Sequence, residues 1–328
     1  MARIGMNPAR KGKISFQPQE VSVGMLTYIP GFEGYFQHRL EVLKVSINSL
    51  LVNTEIPFDF FILDNGSCSQ VVSYLLELNE AEKVDVLLLS TRNLGVEGGM
   101  RILSSVVPGR YFAFSNDDVY YYPGWLQKHL EILRNFPDVG MVSGTPVGYS
   151  SEDANKSVQD FISRKPEGLK VSQRERIRTW EKDWAESTGR DVEIHLRSIS
   201  KSPQTILEFS GTKAIESATH FQFVSPSDVI PQAFSPVWEE NLMDGMIEMD
   251  QRVDSMGYLR LSTPERVTRH IGNSITGEFI TFAEKLNQEI EVIDKRKRKR
   301  NWILKIPGTG RILRGIYNWL FEVLHPAE

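Results

Sequence analysis

The feature that most constrains this chain is an alternation of apolar runs and amphipathic segments over its first half. The apolar runs are Val21–Tyr28, Pro57–Ser67, Val84–Ser90 and Arg110–Val119. Between the first two, Leu40, Leu43 and Ile47 recur at helical spacing. Buried strands that alternate with amphipathic helices over short connections predict an α/β fold: a doubly wound, mostly parallel sheet with flanking helices.

A polar cluster ends or follows each of the later three runs. Asp64 to Ser67 ends the second run, Thr91 to Gly99 follows the third as a glycine-rich loop, and Ser115 to Asp118 ends the fourth. Because ligands of such sheets bind outside the carboxyl ends of the strands, the three clusters are predicted to meet at one rim.

The adjacent acids Asp117 and Asp118 are the strongest chemical signal in these clusters. Two neighbouring carboxylates repel each other unless a cation or a proton offsets their charge. Carboxylate oxygens suit hard divalent ions such as Mg²⁺ or Mn²⁺. From the two residues alone, a turn with solvated acids is the alternative interpretation.

Four motifs in order resemble glycosyltransferase family 2, whose fold is of the GT-A type. They are "VSVGMLTY", "ILDNGS", "TRNLGVEGGMR" and "FAFSNDDVYYYPGWL". The resemblance covers Val21 to about Leu133, the half that binds the nucleotide-sugar in that family. It departs from the family pattern at Ser115–Asp118, where a strict Asp-x-Asp is absent, so the division of roles between the two acids stays open.

The resemblance implies a set of site residues. Those expected at the donor are Thr27, Tyr28, Asp64, Arg92, Asn93, Gly95, Gly99 and Asp117, and those expected at a Mn²⁺ or Mg²⁺ ion are Asp118 and His270. Three of these have plain alternatives: Asp64 as an Asx-turn that caps the next helix, Arg92 as a solvated arginine, and His270 as a structural histidine. The glycines allow backbone to approach a ligand closely.

The family places its general base in an acidic motif in the acceptor half, and here the corresponding segment is "EENLMDGMIEMDQRVDSMGY". We expect a helix, on which Asp244 and Glu248 share a face because they are four residues apart. Asp244 is the favoured base and Glu248 the next, with Asp250 a further candidate. The match is imperfect because Met246 stands where the family's second acid often lies.

The resemblance therefore implies an inverting, metal-dependent glycosyltransferase that moves a sugar from a nucleotide-sugar to a hydroxyl of a glycan or lipid-linked acceptor, in glycan or polysaccharide synthesis. A GT-A-like protein that binds a nucleotide or glycan without transfer is one alternative. A nucleotidyltransferase is another, although "TYIPGFEGY" lacks the basic Gly-rich loop that such enzymes need.

Four regions are expected. They are a flexible leader (1–19), a nucleotide-sugar-binding half (20–150), an acceptor-side half (151–290) with a polar insertion at about 150–205, and a basic amphipathic tail (291–328). The polar insertion is either an inserted subdomain or a long loop. The tail carries six consecutive basic residues, Lys295 to Arg300, before an aromatic segment, although the chain's net charge is −4. Such a tail suits an anionic membrane surface. Packing on the body, a dimer contact, a nucleic-acid or localisation patch and a solvated linker are rivals, and no nucleic-acid partner is expected.

Composition excludes wholesale disorder, collagen-like repeats and coiled coil. Apolar residues make up 41% and charged residues 24% of the 328, typical of a globular chain. No apolar run reaches the roughly 18 residues that a membrane-spanning helix needs, and the N-terminus does not have the pattern of a secretory signal. Cys68 has no second cysteine to pair with. We expect a cytoplasmic protein, with peripheral binding to the cytoplasmic membrane face if the tail has the proposed role.

Overall fold

A computed structural model describes residues 12, 14, 16–147, 154–238 and 241–285. The chain divides into two compact units, Met1–Ile275 and Thr276–Glu328. In the second unit, residues 278–285 are helical. The predicted amphipathic tail lies outside the described residues, as does most of the predicted leader.

The first unit alternates strands and helices in the predicted order. Its strands are β1 (Val21–Thr27), β2 (Phe58–Asp64), β3 (Val86–Leu89), β4 (Tyr111–Asn116), β5 (Val119–Tyr121), β6 (Val139–Ser143), β7 (Lys170–Arg174), β8 (Gln204–Phe209), β9 (Thr212–Glu216), β10 (Gln222–Pro226), β11 (Leu259–Ser262) and β12 (Thr268–His270). Its helices are α1 (Arg39–Val52), α2 (Ser69–Glu80), α3 (Gly95–Val106), α4 (Trp125–Asn135), α5 (Lys156–Arg164), α6 (Arg178–Ser187), α7 (Val192–Ile199), α8 (Val229–Gln232) and α9 (Met246–Ser255), with a short 3-10 helix at Gly34–Phe36.

Ten strands form one sheet in the order β3-β2-β1-β4-β10-β6-β11-β9-β8-β7. The first four strands in that order are parallel, as are β6 and β11. Strand β10 runs antiparallel between β4 and β6, and β7, β8 and β9 form an antiparallel edge. Strands β5 and β12 pair separately. The predicted α/β class with its parallel core is confirmed.

Alternate residues of each central strand pack against different helices. Val23 of β1 lies in a cluster with Leu43 of α1, on one face of the sheet. Phe114 of β4 and Leu103 of α3 belong to the cluster on the other face, together with Met249 of α9. Both faces of the sheet are therefore covered, which explains why the strands read as continuous apolar runs.

Two predicted boundaries need correction. The sequence predicts a glycine-rich loop up to Gly99, but α3 already begins at Gly95. It also predicts one helix across residues 241–258, whereas α9 starts only at Met246, after a turn in which Gly245 has a φ of +90°. The polar stretch at 150–205 was predicted as either a long loop or an inserted subdomain, and its described residues contain α5, β7, α6 and α7.

The described residues contain no helix that is both long enough and apolar enough to cross a membrane.

Candidate functional site

The parallel register brings the predicted polar clusters to one rim. Thr27, the last residue of β1, pairs with Asp64 at the end of β2, and Leu26 pairs with Asn116 at the end of β4. The Asn65 amide donates to the Thr27 carbonyl over 2.8 Å. The side chains that follow three strands therefore share one edge of the sheet.

The guanidinium of Arg39 bridges the two adjacent acids. Its Nη1 donates to Asp118 Oδ2 over 2.8 Å and to the Gly272 carbonyl over 3.0 Å, and its Nη2 donates to Asp117 Oδ1. Thr27 Oγ1 donates to the other oxygen of Asp117 over 2.6 Å. All three charged side chains are buried, so Arg39 supplies the offsetting charge that the sequence leaves unassigned.

His270 also reaches the acid pair, as predicted for a shared site. Strand β12 pairs with β5, and the Ile271 amide donates to the Asp118 carbonyl over 2.7 Å. This backbone contact brings His270 Nε2 to 3.2 Å from Asp118 Oδ2. The edges of Trp184 and Phe221 pack on the imidazole ring, with centroids 5.4 and 5.6 Å away.

The two acids titrate differently because their partners differ. Burial raises the pKa of Asp117 and outweighs the opposing charge of Arg39. Burial acts in the same sense on Asp118, but His270 and Arg39 together overcome it and hold the pKa of Asp118 well below its usual range. Asp118 is therefore the firmly ionised member of the pair.

The site retains donor atoms that fit a cation. Asp118 Oδ1 and His270 Nδ1 are buried and have no hydrogen-bond partner in the described structure. A carboxylate oxygen and an imidazole nitrogen are suitable ligands for Mn²⁺, and the oxygen suits Mg²⁺ as well. Among the residues that the structure describes, no group of three or more His, Cys, Asp or Glu side chains could hold a metal ion.

The second polar cluster is organised by Asn65, which the sequence analysis did not select. Asn65 Nδ2 donates to Asn93 Oδ1 over 3.0 Å and to the Gly95 carbonyl, and its Oδ1 accepts from the Leu94 amide over 2.9 Å. Asn93 Oδ1 accepts from the Gly95 amide. These contacts fix the N-terminus of α3, which explains why the glycine-rich segment forms a helix.

Asp64 forms the predicted Asx-turn with only one of its two carboxylate oxygens. Its Oδ2 accepts from the amides of Gly66 and Ser67 at 3.3 and 3.1 Å, which is the Asx-turn. Its Oδ1 is buried and has no hydrogen-bond partner in the described residues. One oxygen thus shapes the turn, and the other remains available to a ligand.

Asp244 and Glu248 line a pocket of about 260 Å³ that reaches Asn116, the residue before Asp117 and Asp118. The pocket is also lined by Val96 of α3, by Asn116 of β4 and by His220. Asp244 precedes α9 rather than sharing a helical face with Glu248, and it accepts from Asn241 Nδ2 over 2.5 Å. Both side chains are exposed. The structure therefore brings the two predicted bases into one cavity, where they are accessible.

Three of the residues predicted to contact the nucleotide-sugar lie at the margins of the rim. Tyr28 is half-buried and packs edge-on against Phe36, with a centroid distance of 6.0 Å. Arg92 is exposed, and its backbone forms a turn with Ser90. Gly99 lies in α3, where a Cβ atom would approach Leu26 Cδ2 to 2.9 Å.

Sequence reasoning missed Arg39 and His220. Arg39 lies in the first turn of α1 and resembles any polar residue of an amphipathic helix. The available signal was the unpaired charge of Asp117 and Asp118, which requires a cation from another element. His220 Nδ1 lies 2.9 Å from Asp250 Oδ2, and Arg260 also pairs with that carboxylate. Asp250, a candidate base by sequence, is therefore buried and engaged.

One family model matches part of the chain. The family model "Glycosyl transferase family 2" matches residues 36–190, just under half of the chain. No curated protein matches the chain by sequence. The matched range contains three of the four motifs, and the resemblance drawn from those motifs is confirmed.

Solved structures of glycosyltransferases are similar to parts of this chain. TarS 1–349 from S. aureus is 13% identical over 81% of this chain and 64% of its own, with a TM-score of 0.42. Its complex with UDP-GlcNAc is 18% identical over 38% of this chain and 33% of its own, with a TM-score of 0.30. The mannosyltransferase PcManGT from Pyrobaculum calidifontis, in complex with GDP-Man and Mn²⁺, is 14% identical over 79% and 59%, with a TM-score of 0.42. The chain thus spans between a third and just under two thirds of these structures.

Proposed function

We propose that this chain, a glycosyltransferase by its family 2 match over residues 36–190, moves a sugar from a nucleotide-sugar donor to an acceptor hydroxyl with inversion at the anomeric carbon. The geometry that supports this is the buried acid pair beside an acid-lined pocket. Asp118 follows β4, and Asn116 of the same strand lines the pocket of Asp244 and Glu248. A donor at the acids and an acceptor in the pocket would be neighbours.

A divalent cation would be held by Asp118 and His270, whose Oδ1 and Nδ1 atoms have no hydrogen-bond partner in the described structure. When bound, such a cation supplies positive charge beside the diphosphate that leaves. Arg39 holds Asp118 in one orientation by binding its Oδ2, so that the other oxygen is the one left for the metal.

The donor would lie along the rim formed by β1, β2 and β4. We assign its contacts to Thr27, Tyr28, Asp64, Arg92, Asn93, Gly95, Gly99 and Asp117. Of these, Asp64 has the clearest free acceptor, its Oδ1, which suits a base N–H or a ribose hydroxyl. Thr27 donates to Asp117, and Asp117 also accepts from Arg39, so the two residues shape the rim beneath the donor.

The acceptor side is proposed to be the pocket with Asp244 and Glu248. A glycan or a lipid-linked sugar presents hydroxyl groups, and exposed carboxylates in a cavity of about 260 Å³ can accept hydrogen bonds from them. Asp244, or next Glu248, remains predicted to be the base that takes the proton of the acceptor hydroxyl, in glycan or polysaccharide synthesis.

A donor screen tests the proposal. We would measure thermal shifts and nucleoside diphosphate release with UDP- and GDP-sugars, each in Mn²⁺, Mg²⁺ or EDTA. Asp118→Asn should remove cation-dependent donor binding, and Glu208→Gln, at an exposed ion pair with Lys170, should not. Absence of binding to every donor would refute the proposal, and binding without turnover would favour a non-transferring nucleotide-binding protein.

The tail proposal lies outside the described residues and needs its own test. We propose that the basic run Lys295 to Arg300 and the aromatic segment after it hold the enzyme on an anionic membrane. Flotation of the full chain with phosphatidylglycerol vesicles should exceed flotation with phosphatidylcholine vesicles. Replacing the six basic residues by glutamine should abolish the difference. Equal flotation of both proteins would contradict the proposal.

A further inference from the structure

We propose that a second cavity, separate from the acid-lined pocket of Asp244 and Glu248, binds an uncharged molecule with several hydroxyl groups, such as a sugar residue. This cavity has a volume of about 300 Å³. Its walls come from the polar stretch at 150–205 and from the ends of β9 and β11. None of its described lining residues belongs to the proposed donor rim or to the acid-lined pocket.

The cavity lies at the same edge of the sheet as the acid pair. Strands β4 and β6 each run antiparallel to β10, and β11 runs parallel to β6, so β4, β6 and β11 have the same direction. Ser262, the last residue of β11, lines the cavity. Thr219 also lines it, whereas the next residue, His220, lines the acid-lined pocket. One short segment of chain therefore contributes to both cavities.

Three buried polar atoms of the residues around this cavity have no hydrogen-bond partner in the described structure. They are Ser217 Oγ, Thr219 Oγ1 and Asn155 Oδ1. Ser217 and Thr219 are only 6% and 2% exposed, so bulk water does not satisfy their hydroxyl groups. Burial of a polar group without a partner is unfavourable. A molecule held inside the cavity can supply the missing partners.

The backbone of Ser217 is held in a conformation that favours glycine. Its φ is +82°, in the left-handed region that serine rarely adopts. The Ser217 amide donates to the Arg260 carbonyl over 2.8 Å, and the Ser217 carbonyl accepts from Ser262 Oγ. Local strain that the surrounding contacts maintain is common where a protein binds a ligand.

The charges around the cavity favour an uncharged ligand. Arg176, the only cation among the described lining residues, already pairs with Glu181 over 3.3 Å. Glu216 accepts from the side-chain amides of Asn155 and Gln159. These lining residues therefore leave no unpaired cation for a phosphate or a carboxylate. Hydroxyl and amide side chains both donate and accept hydrogen bonds, as they must to match the hydroxyl groups of a sugar.

The size of the cavity is that of a site for one small molecule. Small-molecule sites have volumes of roughly 300–1,000 Å³, and one water takes up about 30 Å³. The bound sugar is either one unit of an acceptor chain that ends in the acid-lined pocket or a separate saccharide. The first source rests on the proposed glycosyl transfer, but the binding itself does not.

Calorimetric titration of the full chain without a donor tests the binding. The probes are the methyl glycosides of glucose, galactose, mannose and N-acetylglucosamine, with inorganic phosphate as the charged comparison. We expect at least one glycoside to bind and phosphate not to bind. Thr219→Val keeps the shape of the side chain without its hydroxyl, and it should weaken glycoside binding about tenfold. Ser217→Gly should weaken it to a similar extent.

Melting temperatures separate the loss of ligand contacts from misfolding. Both variants should melt at or above the wild-type temperature, because the Thr219 hydroxyl has no partner to lose and glycine relieves the positive φ of Ser217. Thr212→Val is the matched control. Thr212 is buried outside this cavity, and its Oγ1 accepts from Asn135 Nδ2 and donates to Glu131. This variant should melt at a lower temperature and bind the glycoside as wild type does.

Two results would overturn the inference. If none of the glycosides binds, the cavity holds water only. If Thr219→Val binds the glycoside as tightly as wild type, the sugar binds elsewhere. Glycoside binding by a protein that binds no nucleotide-sugar would retain this site and reject the proposed transfer.

Transfer assays with the best donor identify the source of the sugar. The acceptors are the methyl glycoside that binds and the corresponding trisaccharide. If the cavity holds a unit of the acceptor chain, Thr219→Val should raise the KM of the trisaccharide about fivefold or more and change that of the glycoside less than about twofold. Unchanged KM values for both acceptors would identify a separate saccharide as the ligand.

Discussion

Arg39 Nη1 lies 2.8 Å from Asp118 Oδ2, and this contact joins the first turn of α1 to the residue pair that follows β4. The same guanidinium binds Asp117, so one buried cation serves two buried acids. The carboxylates would otherwise repel each other in a low-dielectric environment. Arg39 is therefore part of the electrostatics of the site before any ligand arrives.

Replacing Arg39 by methionine should destabilise the protein strongly. The substitution preserves much of the side-chain volume but leaves Asp117 and Asp118 buried without their cation, and loss of one partner of a buried pair costs about 3–5 kcal/mol. We expect a loss of that size in urea unfolding. Mn²⁺ should recover more stability in Arg39→Met than in wild type, because the ion can offset the uncompensated charge.

The matched control is Arg134→Met. Arg134 pairs with Glu20 over a similar distance, 2.8 Å, but the two side chains are 51% and 42% exposed. Exposed pairs contribute at most about 1 kcal/mol. If both variants lose the same stability, burial of the Arg39 cluster does not have the energetic weight assigned to it.

The N-terminus of α3 should depend on Asn65. Asn65→Ala removes the acceptor for the Leu94 amide and the donor to Asn93 and Gly95. Because Asn65 is buried, the groups left without partners should cost about 1–3 kcal/mol each. We expect the free energy of unfolding of Asn65→Ala to fall by about 2–4 kcal/mol. The variant should also bind the nucleotide-sugar more weakly, because its rim would lose these ordering contacts.

Asn48→Ala is the control for that variant. Asn48 Nδ2 bonds to the Lys44 carbonyl on the exposed side of α1, so its loss should cost less than about 1 kcal/mol. Normal donor binding by Asn65→Ala would show that the ordered α3 terminus is not needed at the site.

The sequence was sufficient to predict where the strands end, but it did not predict the side-chain contacts between those ends. β1, β2 and β4 follow from apolar runs, and their parallel register places Thr27 beside Asp64. The partner of Asp118, in contrast, comes from a residue 79 positions away. Periodicity reports which face of α1 is apolar, but it does not report which polar residue of α1 turns inward.

The start of α3 was predicted wrongly for a related reason. Glycines at residues 95–99 read as a loop because glycine disfavours helices. At the start of the helix, Asn65 Oδ1 accepts from the Leu94 amide, and the Leu242 carbonyl of another segment accepts from the Val96 amide. Close packing on β1 also leaves no room for a side chain at Gly99. Tertiary contacts of this kind override local propensity.

Gly99 should therefore not tolerate alanine. A Cβ at Gly99 would approach Leu26 Cδ2 to 2.9 Å in a buried cluster, so Gly99→Ala should cost about 1–3 kcal/mol by overpacking. Gly31→Ala should be near neutral, because nothing lies within 4 Å of its Cβ position. The double variant Leu26→Ala/Gly99→Ala should lose less stability than the sum of the two single variants. Strict additivity, measured by urea unfolding, would show that the two residues do not compete for this space.

His129 should make the folded state sensitive to acid. The side chain is fully buried, its Nδ1 donates to the Trp125 carbonyl over 2.7 Å, and burial lowers its pKa from 6.5 to about 4. Above pH 6.5 the imidazole is neutral in the folded and the unfolded chain, so it contributes no pH dependence. Below that pH the unfolded chain takes up the proton first, and unfolding becomes more favourable down to about pH 4.

The expected loss across that range is about 3 kcal/mol, from a shift of between two and three pH units. His129→Asn keeps an amide donor for the Trp125 carbonyl but does not titrate, so it isolates the contribution of the imidazole from those of the carboxylates. We would measure the free energy of unfolding of both proteins by urea at pH 7.5, 6, 5 and 4.5. The difference between them should change steadily as the pH falls, to the disadvantage of wild type. Parallel curves would mean that His129 takes up a proton equally well in the folded and unfolded chains.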